Sequence, residues 1–156
     1  MDTSWKIEVE AKAKDNEHLV KLFGVLNEDS TFAVIENEQV RKLVFDFEQV
    51  TGINSCGIRE WTNFLKCLDA EIELVYINCS VKVIEQVNMI VDFTKRGAKI
   101  ETFYAPYFCD SCDKEVETLL SSDKVVGGNA PALNCSSCGS EMEFDAVETQ
   151  YFEFLK

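Results

Sequence analysis

Four of the seven cysteines in this 156-residue chain fall into two matching spacings, Cys109-Asp-Ser-Cys112 and Cys135-Ser-Ser-Cys138, with 22 residues between the pairs. Two residues between thiols let one tight turn aim both sulfurs at a common point. Two such turns supply the corners of a tetrahedron with Zn–S bonds of about 2.3 Å. Four thiolates leave no open position for water or substrate, so Cys109, Cys112, Cys135 and Cys138 are expected to hold one structural Zn2+. An iron–sulfur cluster asks for the same four thiolates and stays open as an alternative. Two disulfides would require an exported chain, and a redox-active pair is more often single and placed at a helix start. Gly127-Gly128-Asn129 supplies the loop between the two pairs.

The other three cysteines, Cys56, Cys67 and Cys79, stand in apolar or semi-apolar neighbourhoods and are expected to act as small buried hydrophobes. Nothing else in the chain assembles an enzyme. There is one histidine, His18, expected at a strand edge or surface, no glycine-rich phosphate loop and no nucleophile with an evident base. The expected class is therefore not an enzyme.

Charge narrows the partners. The formal net charge is −13, with 18 acidic against 12 basic residues before Ala105 and 10 against 3 after Pro106. Nucleic acid and anionic membrane draw on clustered Lys and Arg, so both would be repelled. Local positive charge is confined to Lys12/Lys14, Arg41/Lys42 and Lys95/Arg96/Lys99, which read as solvated faces. The start, MDTSWKIEVEAK, lacks a basic stretch followed by an apolar one, and no apolar run nears the roughly 20 residues that span a bilayer. The expectation is a soluble, cytoplasmic protein.

The elements that position these residues follow from periodicity. Trp5-Lys-Ile-Glu-Val-Glu-Ala-Lys-Ala alternates as a half-buried strand, a second strand covers Leu19 to Leu26, and Lys14-Asp-Asn-Glu turns between them as a hairpin. Ser30 is expected to cap a two-turn helix carrying Phe32, Val34 and Ile35 inward. Lys42-Leu-Val-Phe-Asp-Phe reads as a central strand buried on both faces. Ile58, Trp61, Phe64, Leu65 and Leu68 line one side of a helix opening near Gly57. Ile72 to Asn78 is the next strand, and Ser80 caps a helix with Val81, Ile84, Val87 and Met89 or Ile90 inward. A last strand covers Ala98 to Tyr104. This alternation predicts an α/β fold: a mixed, partly parallel sheet packed with helices over residues 1–105, and a small zinc ribbon over 106–156, with the boundary at Pro106. The tail has too few aliphatic side chains to fold without a metal in place of a core. Glu141-Met-Glu-Phe-Asp is its last strand, and Tyr151-Phe-Glu-Phe-Leu is expected to pack on the ribbon or the sheet, the alternative being a partner-docking or dimer patch.

Three segments carry a resemblance. Leu22-Phe-Gly-Val-Leu-Asn, Leu43-Val-Phe-Asp-Phe-Glu-Gln-Val and Ile53-Asn-Ser-Cys-Gly-Ile, in that order and spacing, resemble the STAS domain of bacterial anti-sigma factor antagonists. The resemblance covers residues 5 to about 104 and not the cysteine-bearing tail. It implies a STAS-like sheet, a protein partner that is an anti-sigma factor and serine kinase, a docking face of Asn54, Ser55, Cys56, Gly57 and Ile58, and phosphorylation of Ser55. A phosphate adds about −1.5 to −2 charges, tolerated at a helix N-terminus and disruptive to a docked partner. The chain departs from the family in carrying Asn54 where Asp is usual and Cys56 where Ser or Thr is common. The implied function is a regulatory interaction module in signalling and transcription control, and the alternative is a constitutive STAS scaffold without the phospho-switch.

Overall fold

A computed structural model describes residues 4–12, 16–35, 39–94 and 97–156. Its described elements form a mixed α/β fold with a five-stranded sheet, a three-stranded sheet and three α-helices. β1 (Lys6–Lys12) and β2 (Glu17–Leu26) pair antiparallel, as the expected hairpin does. β3 (Lys42–Ile53), β4 (Glu73–Ile77) and β5 (Lys99–Ile100) then add in parallel, giving the order β1-β2-β3-β4-β5. The expected turn at Lys14-Asp15 and the cations Lys14, Lys95 and Arg96 lie outside the described residues.

Parallel neighbours require crossovers, and α1 (Ser55–Cys67) makes the one from β3 to β4 and α2 (Val81–Met89) the one from β4 to β5. The helical face read from the sequence is the one buried: Trp61 and Leu65 face the core, with Ile58 and Phe64 packed against it. Trp61 is fully enclosed among Phe32, Phe45, Phe47, Phe64, Tyr76 and Phe93, and its indole N–H donates to the Phe93 carbonyl at 2.9 Å. The Tyr76 hydroxyl donates to the same carbonyl at 2.8 Å. Buried aromatic edges therefore fill the core without stranding polar atoms. Ser80 caps α2 through the Val83 amide, as expected.

Several expectations fail for identifiable reasons. Residues 30–35 form no helix, because Ser30 is spent on a turn: its hydroxyl accepts from the Asn27 amide and donates to the Val25 carbonyl. Phe32 and Ile35 still reach the core, while Val34 is exposed. β3 alternates, with Leu43, Phe45 and Phe47 buried and Val44 and Asp46 half-buried, since both long helices cover one face only. Of the pair Met89 or Ile90 it is Ile90 that packs on the core, as does Val81, while Met89 points outward. Cys79 is buried, but Cys56 is half-buried and Cys67 exposed. His18 is half-buried on β2, between β1 and β3 rather than on an edge.

The run 98–104 is not one strand. β5 closes the first sheet, and β6 (Thr102–Cys109) opens the second. β6 is the centre of that sheet, between β7 (Lys114–Ser121) and β8 (Glu143–Phe144), all antiparallel. Pro106 stands inside β6 opposite Glu117, and the 105/106 division falls within this strand. The start of β6 still touches the first sheet, where Phe103 bridges to Cys79 and the Tyr104 amide donates to the Cys79 carbonyl. The chain ends in α3 (Glu148–Tyr151) and a 3-10 turn, Glu153–Leu155. Among the described residues no helix is long and apolar enough to cross a membrane.

Candidate metal centre and the turn at Ser55

The β6–β7 hairpin places the first cysteine pair at its tip: Cys109 ends β6, and the left-handed Asp113 (φ 52°) returns the chain into β7. The second pair sits on a matching turn. The Cys135 amide donates to the Ser140 carbonyl at 2.7 Å, the Gly139 amide to the Cys135 carbonyl at 2.8 Å, and Gly139 takes φ 76°. The two turns are laced by Lys114 to the Ser137 hydroxyl at 2.7 Å and by Ser111 to Ser140 at 3.0 Å.

This scaffold brings the four Sγ atoms within 4.8 Å of one another, with Cys109–Cys138 at 3.5 Å and Cys112–Cys135 at 4.0 Å. A tetrahedron with metal–sulfur bonds of about 2.3 Å has edges of about 3.8 Å, so the four sulfurs already bracket one ion. Cys109 and Cys135 are buried, Cys112 is half-buried and Cys138 is exposed.

The second turn favours thiolate. The Ser140 hydroxyl and amide hold the Cys138 thiol down to about 6, and the amides of Cys138 and Ser137 lower Cys135. Cys112 is pushed up to about 12 by its hydrogen bonds to Cys138 and Cys109. Cys109 feels the Cys112 amide most, pulling it down, yet burial and the neighbouring thiols leave it raised. Without a cation the protons are shared among the four sulfurs; a divalent ion would displace them. The donor set and spacing thus fit a metal ion.

The turn at Ser55 is ordered by its neighbours. Asn54 is the helix cap, its side-chain oxygen accepting from the Gly57 amide at 2.8 Å while its amide group donates to Glu28 at 3.2 Å. Ser55 is exposed in the first turn of α1, Cys56 and Ile58 are half-buried, and Gly57 is buried. Gly57 is pressed against the end of β2: a Cβ there would lie 2.6 Å from the Asn27 nitrogen and closer still to the Leu26 carbonyl. Gly24 (φ 90°) supports this approach through the irregular pairing of β2 with β3 just before Leu26. The docking residues implied by the resemblance therefore share one turn, though Gly57 offers no surface of its own.

One polar pairing had no signature in the sequence. The Tyr104 hydroxyl on β6 donates to both oxygens of Glu48 on β3, at 2.7 and 2.8 Å, linking the two sheets. That bond pushes the Tyr104 hydroxyl up to about 12.

The chain matches no family model and no curated protein.

Proposed function

We propose that this chain is a regulatory protein-interaction module of the STAS kind, resembling an anti-sigma factor antagonist. A partner, an anti-sigma factor that is also a serine kinase, docks on the turn of Asn54, Ser55, Cys56 and Ile58, and phosphorylation of Ser55 releases it. The observation that carries this reading is the exposed Ser55 hydroxyl at the start of α1, on a turn pinned by the Asn54 cap and the Gly57–Leu26 approach. A phosphate there meets the favourable end of the helix dipole and places its charge where a partner would dock. In this reading the protein is cytoplasmic and not an enzyme, and the ion at the four cysteines is Zn2+ with a structural role.

A second reading, a constitutive scaffold with the same face, is favoured by Asn54. It is neutral, and both ends of its amide are already engaged, with Gly57 and Glu28. Two measurements separate the readings: peptide mass spectrometry at Ser55 on protein isolated from its own host in growth and in stress, and partner capture by Ser55→Asp and Ser55→Ala. The switched module predicts condition-dependent phosphate, capture lost in Ser55→Asp and kept in Ser55→Ala. Unmodified Ser55 throughout, with capture unchanged in both variants, would leave the scaffold.

A further inference from the structure

α2 meets the C-terminal segment where Asn88 bonds to the Tyr151 carbonyl, but the two part beside that contact. Between them lies a groove of about 520 Å3, lined on one side by Glu85, Asn88 and Met89 and on the other by Val147, Tyr151 and Glu153, among others. Its volume is within the range of about 300–1,000 Å3 common for binding sites.

Three features of the lining specify an occupant. Met89 and Val147, one on each wall, are 73% and 57% exposed, which leaves apolar surface facing across the gap. Asn88 gives its amide hydrogen to the Tyr151 carbonyl at 2.9 Å, while its buried Oδ1 has no hydrogen-bond partner among the described residues. The charge on the rim is negative. Glu85 is exposed without an ion-pair partner among the described residues, and Glu153 meets only the exposed Lys156 at 2.9 Å, a contact too solvated to neutralise the rim.

We infer that this groove is a docking site for a basic, amphipathic segment of another protein, with apolar side chains seated between Met89 and Val147 and Lys or Arg flanking them against Glu85 and Glu153. An anionic membrane or nucleic acid would meet like charge here and on a chain of net charge −13. A second copy docked symmetrically would set the same acidic rim against itself. The site uses none of the residues around Ser55, so it stands or falls apart from the switch.

Fluorescence anisotropy on the full chain tests the inference. One labelled peptide carries Leu and Phe at helical spacing interleaved with Lys and Arg; a second keeps the apolar positions and exchanges the cations for Glu and Asp. The basic peptide is expected to bind, more weakly as salt rises, and the acidic one not. Glu85→Lys combined with Met89→Lys is expected to lower its affinity by at least about tenfold, as is Val147→Lys on the other wall. Val126→Lys, on a side chain 74% exposed at the Gly127-Gly128 turn, should leave affinity unchanged. Equal binding of both peptides, or no loss in either groove variant, overturns the inference. Self-association of the chain that Met89→Lys abolishes also overturns it, by making the occupant a second copy. All three substituted groove side chains are exposed, so the variants are expected to keep the wild-type circular dichroism melt.

Discussion

Replacing Gly57 with alanine sets two effects of opposite sign against each other. Helix propensity alone favours the change, since alanine is better than glycine in a helix by about 1 kcal/mol. The approach of α1 to β2 forbids it. The new Cβ would lie 2.6 Å from the Asn27 nitrogen and nearer to the Leu26 carbonyl, against ordinary carbon–oxygen separations of about 3.3 Å or more. The obstructing atoms are backbone and cannot rotate away. Relief requires α1 to withdraw by about an ångström, drawing Trp61 and Leu65 out of a core in which Trp61 is fully buried. Overpacking of this kind costs about 1–3 kcal/mol, and displaced backbone places Gly57→Ala at the upper end. At about 2–4 °C per kcal/mol for a chain of this length, the melting temperature should fall by roughly 6–12 °C. Gly52→Ala is the control: its Cβ meets only the Val25 methyl groups at 3.8 Å, so stability should hold or rise slightly. Thermal and urea unfolding followed by circular dichroism read both variants. A Gly57→Ala protein as stable as wild type, or more so, would refute the close approach and with it the pinned turn that presents Ser55.

The metal centre predicts one metal ion per chain by mass spectrometry under native conditions. Chelation or Cys112→Ser should release it and loosen the β6–β7 tip, an effect of up to about 10 kcal/mol in small modules. Metal affinity should weaken as pH falls and the thiolates protonate, measured by competition with a chromophoric chelator. For Tyr104 the sign is the reverse of an acid-labile pair. Its hydroxyl is raised from 10 to about 12 by Glu48, so the contribution of this bond is full below pH 10 and is lost as pH rises toward 12. Glu48→Gln should lower the titration of the Tyr104 ring resonances toward 10 in an NMR pH series, the partial burial and the charges of Asp46 and Glu117 remaining; no change would mean that the two sheets are not joined through this pair.

What the sequence disclosed was local chemistry. The two cysteine spacings led to four sulfurs that the fold does gather at one point, because each knuckle is a single turn whose geometry is fixed within a few residues. The Ser80 cap and the Trp61–Leu65 stripe were legible for the same reason. Ser30 misled because a hydroxyl after a polar turn serves an N-cap or a turn equally well, and the choice fell to the carbonyl of Val25, which lies five residues back. The run 98–104 misled because strand propensity does not say which sheet a residue joins. Ile100 pairs with Tyr76, but Asn78 (φ 54°) turns β4 aside two residues later, and β6 goes on to a different sheet. Pro106 marked a boundary in the sequence because it cannot donate to a ladder; in the fold its carbonyl still accepts from the Asp145 amide, and the strand runs through it. Gly57 signalled a need for room, but only the position of β2 shows how little there is.

The ribbon is consequently built into the molecule through one strand. β6 leaves the first sheet at Cys79, is tied to β3 through Tyr104 and Glu48, and ends on Cys109. The C-terminal segment closes over its far side: Phe152 stacks on Phe144 with ring centres 5.1 Å apart, the Tyr151 hydroxyl donates to the Tyr104 carbonyl, and Phe103 meets Tyr151, Phe152 and Phe154 edge-on or tilted. Val147 and Tyr151, which form one wall of the groove against α2, therefore take their position from β6 and β8, while Met89 on the other wall is carried by α2, whose buried residues Val83, Ile84 and Val87 enter the same core and which touches β6 as well as β3. Both walls thus bear on β6, the strand that ends in the metal centre, and both belong to one continuous buried core that also holds Trp61. Loss of the ion would reach the groove through β6 on both sides, at the Val147 wall through Tyr104 and Tyr151 and at the Met89 wall through the contact of α2 with β6.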